Sequence, residues 1–273
     1  TVAILAQGGE HSAQFCPHRR LFQMAPPLAT GLVSWKSFFM VQLFPAHILL
    51  GLVSVPILSY TCFQGYKAAW AILLAYLPFY MRPAHRKVPG WKSPGVFKLF
   101  ECKKSFEEYG GQFGVHASES IDPDQQYFVA VHPHGPLCIG RMFWHSEDLL
   151  RLFNRDWRML AASVLFSIPV IRDMSLLFGA VDAGRPTVEK ILKAGFNAVL
   201  YPGALDETNS VDKPDEVSLR TRTGFIRIAV QQGISVLPMF CFGELDIVTP
   251  VRMLPTSVAG LLADNRRISH TLV

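Results

Sequence analysis

The sequence has few charged residues and no closely spaced cysteine pairs. Charged residues make up 17% of the 273 residues, against about 25% in ordinary soluble domains. Hydrophobic residues make up 50%, and the mean hydropathy is +0.24. This balance excludes a disordered chain and a coiled coil, and it predicts that some apolar surface meets lipid. The five cysteines argue against a disulfide framework or a cysteine zinc site, and they favour a reducing compartment.

A nucleic-acid partner is not expected, although the net charge is +5 and the isoelectric point is about 9.0. The basic residues are dispersed and form nothing longer than doublets, and they are not accompanied by a zinc-finger, RRM or basic-helix pattern. A moderate positive charge also suits an anionic membrane surface or an anionic substrate. The latter two partners are the ones we expect.

The N-terminal third predicts a tail followed by a membrane-embedded hairpin. Residues 1–36 mix Gly, Pro, Gln and basic residues without periodicity, which is typical of a tail. Residues 37–66 contain no Asp, Glu, Lys or Arg, and residues 68–81 form a second uncharged run. Because about 20 apolar residues span a bilayer, residues 37–81 are predicted to form one deep and one shallow arm, with positively charged cytosolic flanks. The alternative is two buried core helices of a soluble enzyme.

Residues 82–273 predict a cytosol-facing α/β domain. From residue 120 onward, short apolar runs at 127–131, 198–201 and 235–242 alternate with helical periods such as 137–153, 171–178 and 221–232. This alternation favours a mostly parallel sheet flanked by helices. The chain starts with Thr1 and not with methionine, and we expect it to be truncated at its C-terminus.

Three predicted loops leave the carboxyl ends of these strands and carry polar residues. They are His132-Pro133-His134-Gly135, residues 202–207 ending in Glu207, and residues 243–246 with Glu244. In a parallel sheet the ligand crevice lies at that edge, and a histidine there can act as a general base near neutral pH. Both imidazoles could face the crevice, or one could support the loop while the other acts.

Two other chemistries are disfavoured by what surrounds these histidines. His-x-His is a frequent metal-ligand pair, but residues 135–138 supply no carboxylate or third imidazole, so no metal site is predicted. A serine hydrolase is disfavoured because the sequence lacks a Gly-x-Ser-x-Gly elbow.

Four motifs in order resemble the type 2 acyl-CoA:diacylglycerol acyltransferase family, which also contains monoacylglycerol and wax-alcohol acyltransferases. They are YFVAVHPHGPLCIG at 127–140, the Pro-Gly loop ending in Glu207, RTGF at 222–225 and FCFGE at 240–244. The resemblance runs from about residue 35 to 250. It implies a glycerolipid-acyltransferase-like fold behind a membrane hairpin.

The sequence departs from the family pattern at two positions and in one related motif. Ala204 replaces the second glycine of the Pro-Gly-Gly loop, and Leu245 replaces the Asn that usually follows Gly-Glu. Either change could alter activity. More distant glycerolipid acyltransferases pair the base with an Asp in His-x4-Asp, but Ile139 stands five residues after His134.

The resemblance implies direct acyl transfer, in which His134 deprotonates a lipid hydroxyl as it attacks the acyl-CoA thioester. His132 is the alternative base or a positioning residue, and Glu207, ahead of Glu244, is the expected orienter of the imidazole. Backbone N–H groups at Gly135 and at the start of the following helix are the expected oxyanion donors. Gly203, in the Pro-Gly loop, is the other glycine assigned to the site. Glu244 is a candidate for binding substrate. Three arginines are candidates for binding the CoA phosphates, because guanidinium groups match phosphate geometry: Arg172, Arg185 and Arg222.

The implied function is triacylglycerol synthesis from diacylglycerol at a cytosol-facing endoplasmic-reticulum membrane, with passage to lipid droplets as an option. No bound cofactor is needed, since acyl-CoA is a consumed substrate. Two alternatives stay open: the same chemistry on monoacylglycerol or a long-chain alcohol, and a non-catalytic hairpin protein of lipid droplets. The partners are acyl-CoA, the lipid acceptor and the membrane, and a homo-oligomer is among the open options.

Overall fold

A computed structural model describes residues 2–6, 34–38, 47–88, 101–108, 113–117, 121–135, 138–203, 207 and 222–244. Ala204 and Leu245, the two departures from the family pattern, lie outside these residues. The strands are β1 (Val2–Ala6), β2 (Phe113–Ala117), β3 (Tyr127–His132), β4 (Trp157–Ala161), β5 (Ala180–Asp182), β6 (Asn197–Leu200) and β7 (Ser235–Phe242).

The helices of the described residues are mostly short. They are α1 (Trp35–Phe38), α2 (His47–Phe63), α3 (Lys67–Tyr80), α4 (Cys102–Glu108), α5 (Glu147–Leu150), α6 (Ile171–Leu177), α7 (Arg185–Lys193) and α8 (Gly224–Gln232). Three 3-10 helices join them, at Ala84–Arg86, Ile139–His145 and Ser163–Ser167.

The strands form one seven-stranded sheet in the order β2-β1-β7-β3-β6-β4-β5. The five strands from β7 to β5 are mutually parallel, whereas β1 is antiparallel to β7 and parallel to β2. The predicted mostly parallel α/β sheet is therefore confirmed. Strand β1 lies within residues 1–36, so part of the segment expected to be a tail pairs with β2 and β7 in the sheet.

Strand β3 is at the centre and is buried on both faces. Its residues alternate, as strand side chains must: Tyr127, Val129 and Val131 pack into one core with Trp144. Phe128 and its neighbours pack into a second core below α7 and α8. This burial on both faces explains why the strand reads as a continuous apolar run.

The segment after β3 differs from its prediction. A continuous helix was expected over residues 137–153, but Cys138 has the left-handed φ of +52°, and the chain then follows the 3-10 helix Ile139–His145. Ser146 stops that helix and caps α5, since its Oγ accepts a hydrogen bond from the Leu149 N–H at 3.4 Å. The bend turns the start of this segment toward β7 and its loop.

Helices α2 and α3 follow each other closely and form a pair. Residues 64–66 join them, and the indole N–H of Trp70 donates to the Cys62 carbonyl at 3.1 Å. With 17 and 14 residues, they rise about 26 and 21 Å at 1.5 Å per residue. Among the described residues, no helix is both long and apolar enough to cross a membrane, so the expected transmembrane helix is not found there.

The helix pair contacts the α/β domain through α6 and the loop before it. Tyr76 Oη donates to Asp173 Oδ2 at 2.6 Å, and Tyr80 Oη donates to the Ser167 carbonyl at 2.8 Å. Gly51 of α2 lies so close to α6 that a Cβ there would be 2.5 Å from Ile171 Cγ1. Both helices therefore have direct contacts with the domain that carries the histidines.

Candidate active site

The structure brings the three polar loops together at the carboxyl edge of the sheet. Strand β3 has β6 on one side and β7 on the other, so the loops that follow these three strands are neighbours. The residues of these loops that bond across the strands are His132, His134, Glu207 and Glu244. Nothing local in the sequence sets these bonds, because the partners are more than 70 residues apart.

Glu207 holds the histidine loop from the β6 side. Its Oε1 is 2.6 Å from His132 Nδ1, and its Oε2 accepts the backbone N–H of His134 at 2.9 Å. The residue is only 1% exposed, and Gly203 makes the room, since a Cβ there would stand 1.9 Å from Glu207 Cδ. Glu207 therefore orients the ring of His132 and the backbone of His134, and not the ring of His134 as first expected.

The ring of His134 has one defined hydrogen bond. Its Nδ1 lies 2.7 Å from the Gly135 carbonyl oxygen, which can only accept, so Nδ1 carries the proton of the neutral ring. Nε2 is then left as the proton acceptor, and within the described part of the chain it has no hydrogen-bond partner. The ring of Tyr201 meets the imidazole edge to face, with 5.7 Å between centroids.

Burial keeps this imidazole neutral. Desolvation lowers the pKa of His134 from its ordinary value, the Gly135 carbonyl opposes this shift, and the nearby charge of Arg141 lowers the pKa further. A neutral imidazole whose Nε2 has no hydrogen-bond partner among the described residues can accept a proton at neutral pH, which a general base must do.

Glu244 holds the other end of the same segment. Its Oε1 and Oε2 accept the N–H groups of Ile139 and Gly140 at 2.6 and 2.7 Å. Burial raises its pKa to about 7, against the lowering effect of these two backbone hydrogen bonds. Gly135 and Gly140 give it space, because a Cβ at either would stand 2.7 or 3.0 Å from the Glu244 side chain.

These contacts change one expectation about oxyanion donors. The first N–H groups of the 3-10 helix after the histidine loop already bond to Glu244, so they are not free for a substrate oxygen in this structure. Glu244 itself is 1% exposed and bonds to the protein, while its predicted substrate-binding role stays untested. The oxyanion role expected for the Gly135 N–H also stays a prediction. The positive φ of 63° at Gly135 shapes the loop.

The three arginines predicted to bind phosphates lie in different surroundings. Arg172 is buried and donates to the Phe79 and Arg82 carbonyls at 2.9 Å and to Asp173 at 2.7 Å. Arg185 is exposed and bonds to Glu189 and Gln231. Arg222 is half-buried just before α8. The contacts of Arg172 join α3 to the domain, and a phosphate-binding role for the three arginines stays a prediction.

One charged residue near His134 was missed in the sequence. Arg141 Nη2 is 3.3 Å from His47 Nε2, and its guanidinium carbon is 5.4 Å from the centre of the Phe178 ring. The available signal was that Arg141 is the only Asp, Glu, Lys or Arg between His134 and Glu147. Over the described ranges, no group of three His, Cys, Asp or Glu side chains is arranged to hold a metal ion.

Comparison with known proteins identifies the family. The sequence model of the diacylglycerol acyltransferase family matches residues 63–258, and the chain belongs to this family. The matched region contains α3, both histidines, Glu207 and Glu244. No solved structure matches the chain significantly.

Three similar proteins are named for three different acceptors. Diacylglycerol O-acyltransferase 2 of Dictyostelium discoideum is 26% identical over 67% of this chain and 57% of its own length. Human 2-acylglycerol O-acyltransferase 3 is 34% identical over 46% of this chain and 40% of its own length. Acyl-CoA wax alcohol acyltransferase 2 of Mus musculus is 25% identical over 74% of this chain and 62% of its own length. The chain therefore spans about two fifths to three fifths of these relatives.

Proposed function

We propose that the protein transfers a fatty acyl group from acyl-CoA to the free hydroxyl of diacylglycerol and so forms triacylglycerol. The observation that carries this proposal is the 2.7 Å hydrogen bond between His134 Nδ1 and the Gly135 carbonyl, which leaves Nε2 as the proton acceptor, with no hydrogen-bond partner among the described residues. Membership of the acyltransferase family supports the reaction class. The names of the relatives support acyl transfer to a glycerolipid or alcohol.

The reaction needs one base and a path for one proton. His134 Nε2 takes the hydroxyl proton as the alcohol oxygen attacks the thioester carbonyl carbon, which gives a tetrahedral intermediate with a negative oxygen. The C–S bond then breaks, the ester forms, and the imidazolium returns the proton to the CoA sulfur. Atoms and charge balance without an acyl-enzyme and without a bound cofactor. Holding both substrates together supplies much of the rate.

Glu207 is a positioning residue in this scheme. It fixes the His134 backbone directly and the His132 ring through Nδ1, so the loop between the two histidines keeps one conformation. His132 is the second candidate base, and its bond to Glu207 favours a supporting role. Arg185 and Arg222 are the proposed partners of the CoA phosphates.

We propose that α2 and α3 lie in the cytosolic leaflet of the endoplasmic-reticulum membrane, with the α/β domain facing the cytosol and with lipid droplets as a second destination. The support is the number of large apolar side chains that this pair exposes. The exposed ones are Leu49, Leu50, Leu52, Val53, Val55, Ile57, Tyr60, Phe63, Trp70, Ile72, Leu74, Leu77 and Phe79, together with the flanking Tyr66 and Met81. This placement would hold the site where diacylglycerol dissolves.

Monoacylglycerol and long-chain alcohols are the alternative acceptors, because relatives named for each match the chain. The test supplies labelled oleoyl-CoA to membranes without endogenous activity and offers the three acceptors in parallel. We expect label in triacylglycerol with the wild-type chain and none with His134→Ala. The matched control is His116→Ala, since His116 is exposed on β2. Label in another acceptor would correct the substrate, and no label with an inserted, folded chain would contradict the activity.

A further inference from the structure

Arg141 is a cation with no carboxylate partner among the described residues. The ion pairs among the described residues do not include Arg141, and the side-chain hydrogen bond found there for Arg141 is to His47 Nε2 at 3.3 Å. The Phe178 ring adds a cation–π contact. A half-buried guanidinium has lost part of its hydration, and such a charge ordinarily has an anion nearby.

The position of Arg141 places its charge near the proposed reaction centre. Arg141 follows Gly140, whose N–H bonds to Glu244, and the positive charge of Arg141 lowers the pKa values of both His134 and Glu244. On its other side it contacts the first residue of α2. It therefore stands between the helix pair and the histidine loop.

Two of the expected backbone oxyanion donors are already occupied. The reaction generates a negative oxygen on the thioester carbon, and such an oxygen needs aimed donors. The N–H groups of Ile139 and Gly140 are held by Glu244. Arg141 has five donors, of which the described contacts use one.

We propose that Arg141 stabilises the oxyanion formed from the acyl-CoA thioester, while His47 of α2 holds its guanidinium in place. This inference rests on the proposed function and deepens it. The alternative anion, a CoA phosphate, is separated from the thioester by the pantetheine arm, which makes it the less suitable partner for a cation close to His134. The role also links the helix pair to chemistry, because α2 then supplies the contact that positions the cation.

The test compares Arg141→Met with Arg141→Lys and with Arg151→Met as the matched control. Arg151 is an exposed arginine whose only described ion pair is with Glu147. Initial rates at varied oleoyl-CoA concentration give kcat and KM. In a separate experiment, inhibition of the reaction by free CoA gives the affinity for CoA. Removing an oxyanion donor costs about 100-fold in kcat, so we expect a loss of this size in Arg141→Met with an unchanged CoA affinity. Arg141→Lys should lose less of the wild-type kcat. In a further variant, Arg141→Ala, added methylguanidinium should partly restore kcat.

Each outcome has a defined meaning. A folded Arg141→Met with near wild-type kcat overturns the inference and leaves the proposed function intact. A reduced CoA affinity with little change in kcat also overturns it and assigns Arg141 to a phosphate. If Arg141→Met does not fold, the lysine variant and the guanidinium rescue decide. If the wild-type protein shows no transfer that depends on His134, the proposed function is contradicted. The inference about Arg141 is then contradicted as well.

Discussion

His132 Nδ1 and Glu207 Oε1 lie 2.6 Å apart, although 75 positions separate them in the sequence. The second oxygen of the same carboxyl group accepts the N–H of His134. One buried side chain from the β6 loop thus fixes both histidines of the β3 loop. The proposed base is held through its backbone N–H.

Glu207→Gln should lower activity without abolishing it. A glutamine can offer its single amide oxygen to only one of the two N–H donors, and its NH2 group then faces the other. Hydrogen bonds to charged groups contribute about 1.5–3 kcal/mol, so we expect kcat to fall roughly tenfold to a hundredfold. Steady-state rates measure this loss of kcat. The control is Glu147→Gln, because Glu147 is exposed and pairs with Arg151 at the surface. Wild-type kcat in a folded Glu207→Gln would refute the positioning role.

Gly203→Ala should disturb the same carboxyl group sterically. A Cβ at Gly203 would stand 1.9 Å from Glu207 Cδ, so the glutamate must move and its bonds to the histidine loop must break. Overpacking of this kind costs about 1–3 kcal/mol. Gly114→Ala is the control, since a Cβ there has nothing within 4 Å. Thermal unfolding in detergent should show a lower Tm for Gly203→Ala alone, and equal Tm values would contradict the packing.

The buried carboxyl group of Glu244 should make stability depend on pH. Burial raises its pKa from 4.5 to about 7, so between these values the folded state holds a proton that the unfolded state has lost. The free energy of unfolding therefore falls as pH rises through this window. Glu244→Gln removes this dependence, and the stability advantage of wild type over the variant should shrink from about pH 5 to about pH 8. Urea unfolding across that range tests this, and a constant difference would contradict it.

Arg172→Lys should destabilise the contact between α3 and the domain. The Arg172 guanidinium donates to two carbonyls at the end of α3 and to Asp173, a geometry that a lysine ammonium cannot reproduce. We expect a loss of about 2 kcal/mol in the free energy of unfolding, with Arg151→Lys as the exposed control. Unchanged stability together with a raised KM for acyl-CoA would instead assign Arg172 to substrate.

Strands β3, β6 and β7 could be predicted from the sequence because they depend on local apolar patterns, whereas β1 lies in the segment expected to be a tail and β2 was not predicted. The apolar run 235–242 coincides with β7 (Ser235–Phe242), and run 127–131 falls within β3. Since the ends of parallel strands share one edge, the three polar loops were expected at the same edge, and the strand order β7-β3-β6 makes them neighbours. Strand β5 was missed because three residues are too short a run to show a period.

The partners within the site could not be predicted in the same way. Whether Glu207 meets a histidine ring or a backbone N–H depends on how tightly Gly203 lets two loops approach. The left-handed turn at Cys138 interrupts a segment with helical periodicity and presents the N–H groups of Ile139 and Gly140 to Glu244. Arg141 gains its importance from His47, 94 residues away. Such pairings are set by tertiary packing, which periodicity does not record.

The most direct test of the account is the kcat of His134→Ala for acyl transfer from oleoyl-CoA, measured with an inserted and folded chain. General-base catalysis contributes about 100-fold to 10,000-fold, and we predict a loss within or beyond that range. His116→Ala should keep the wild-type rate. A His134→Ala protein that retains most of its activity would contradict the assignment of His134 as the base.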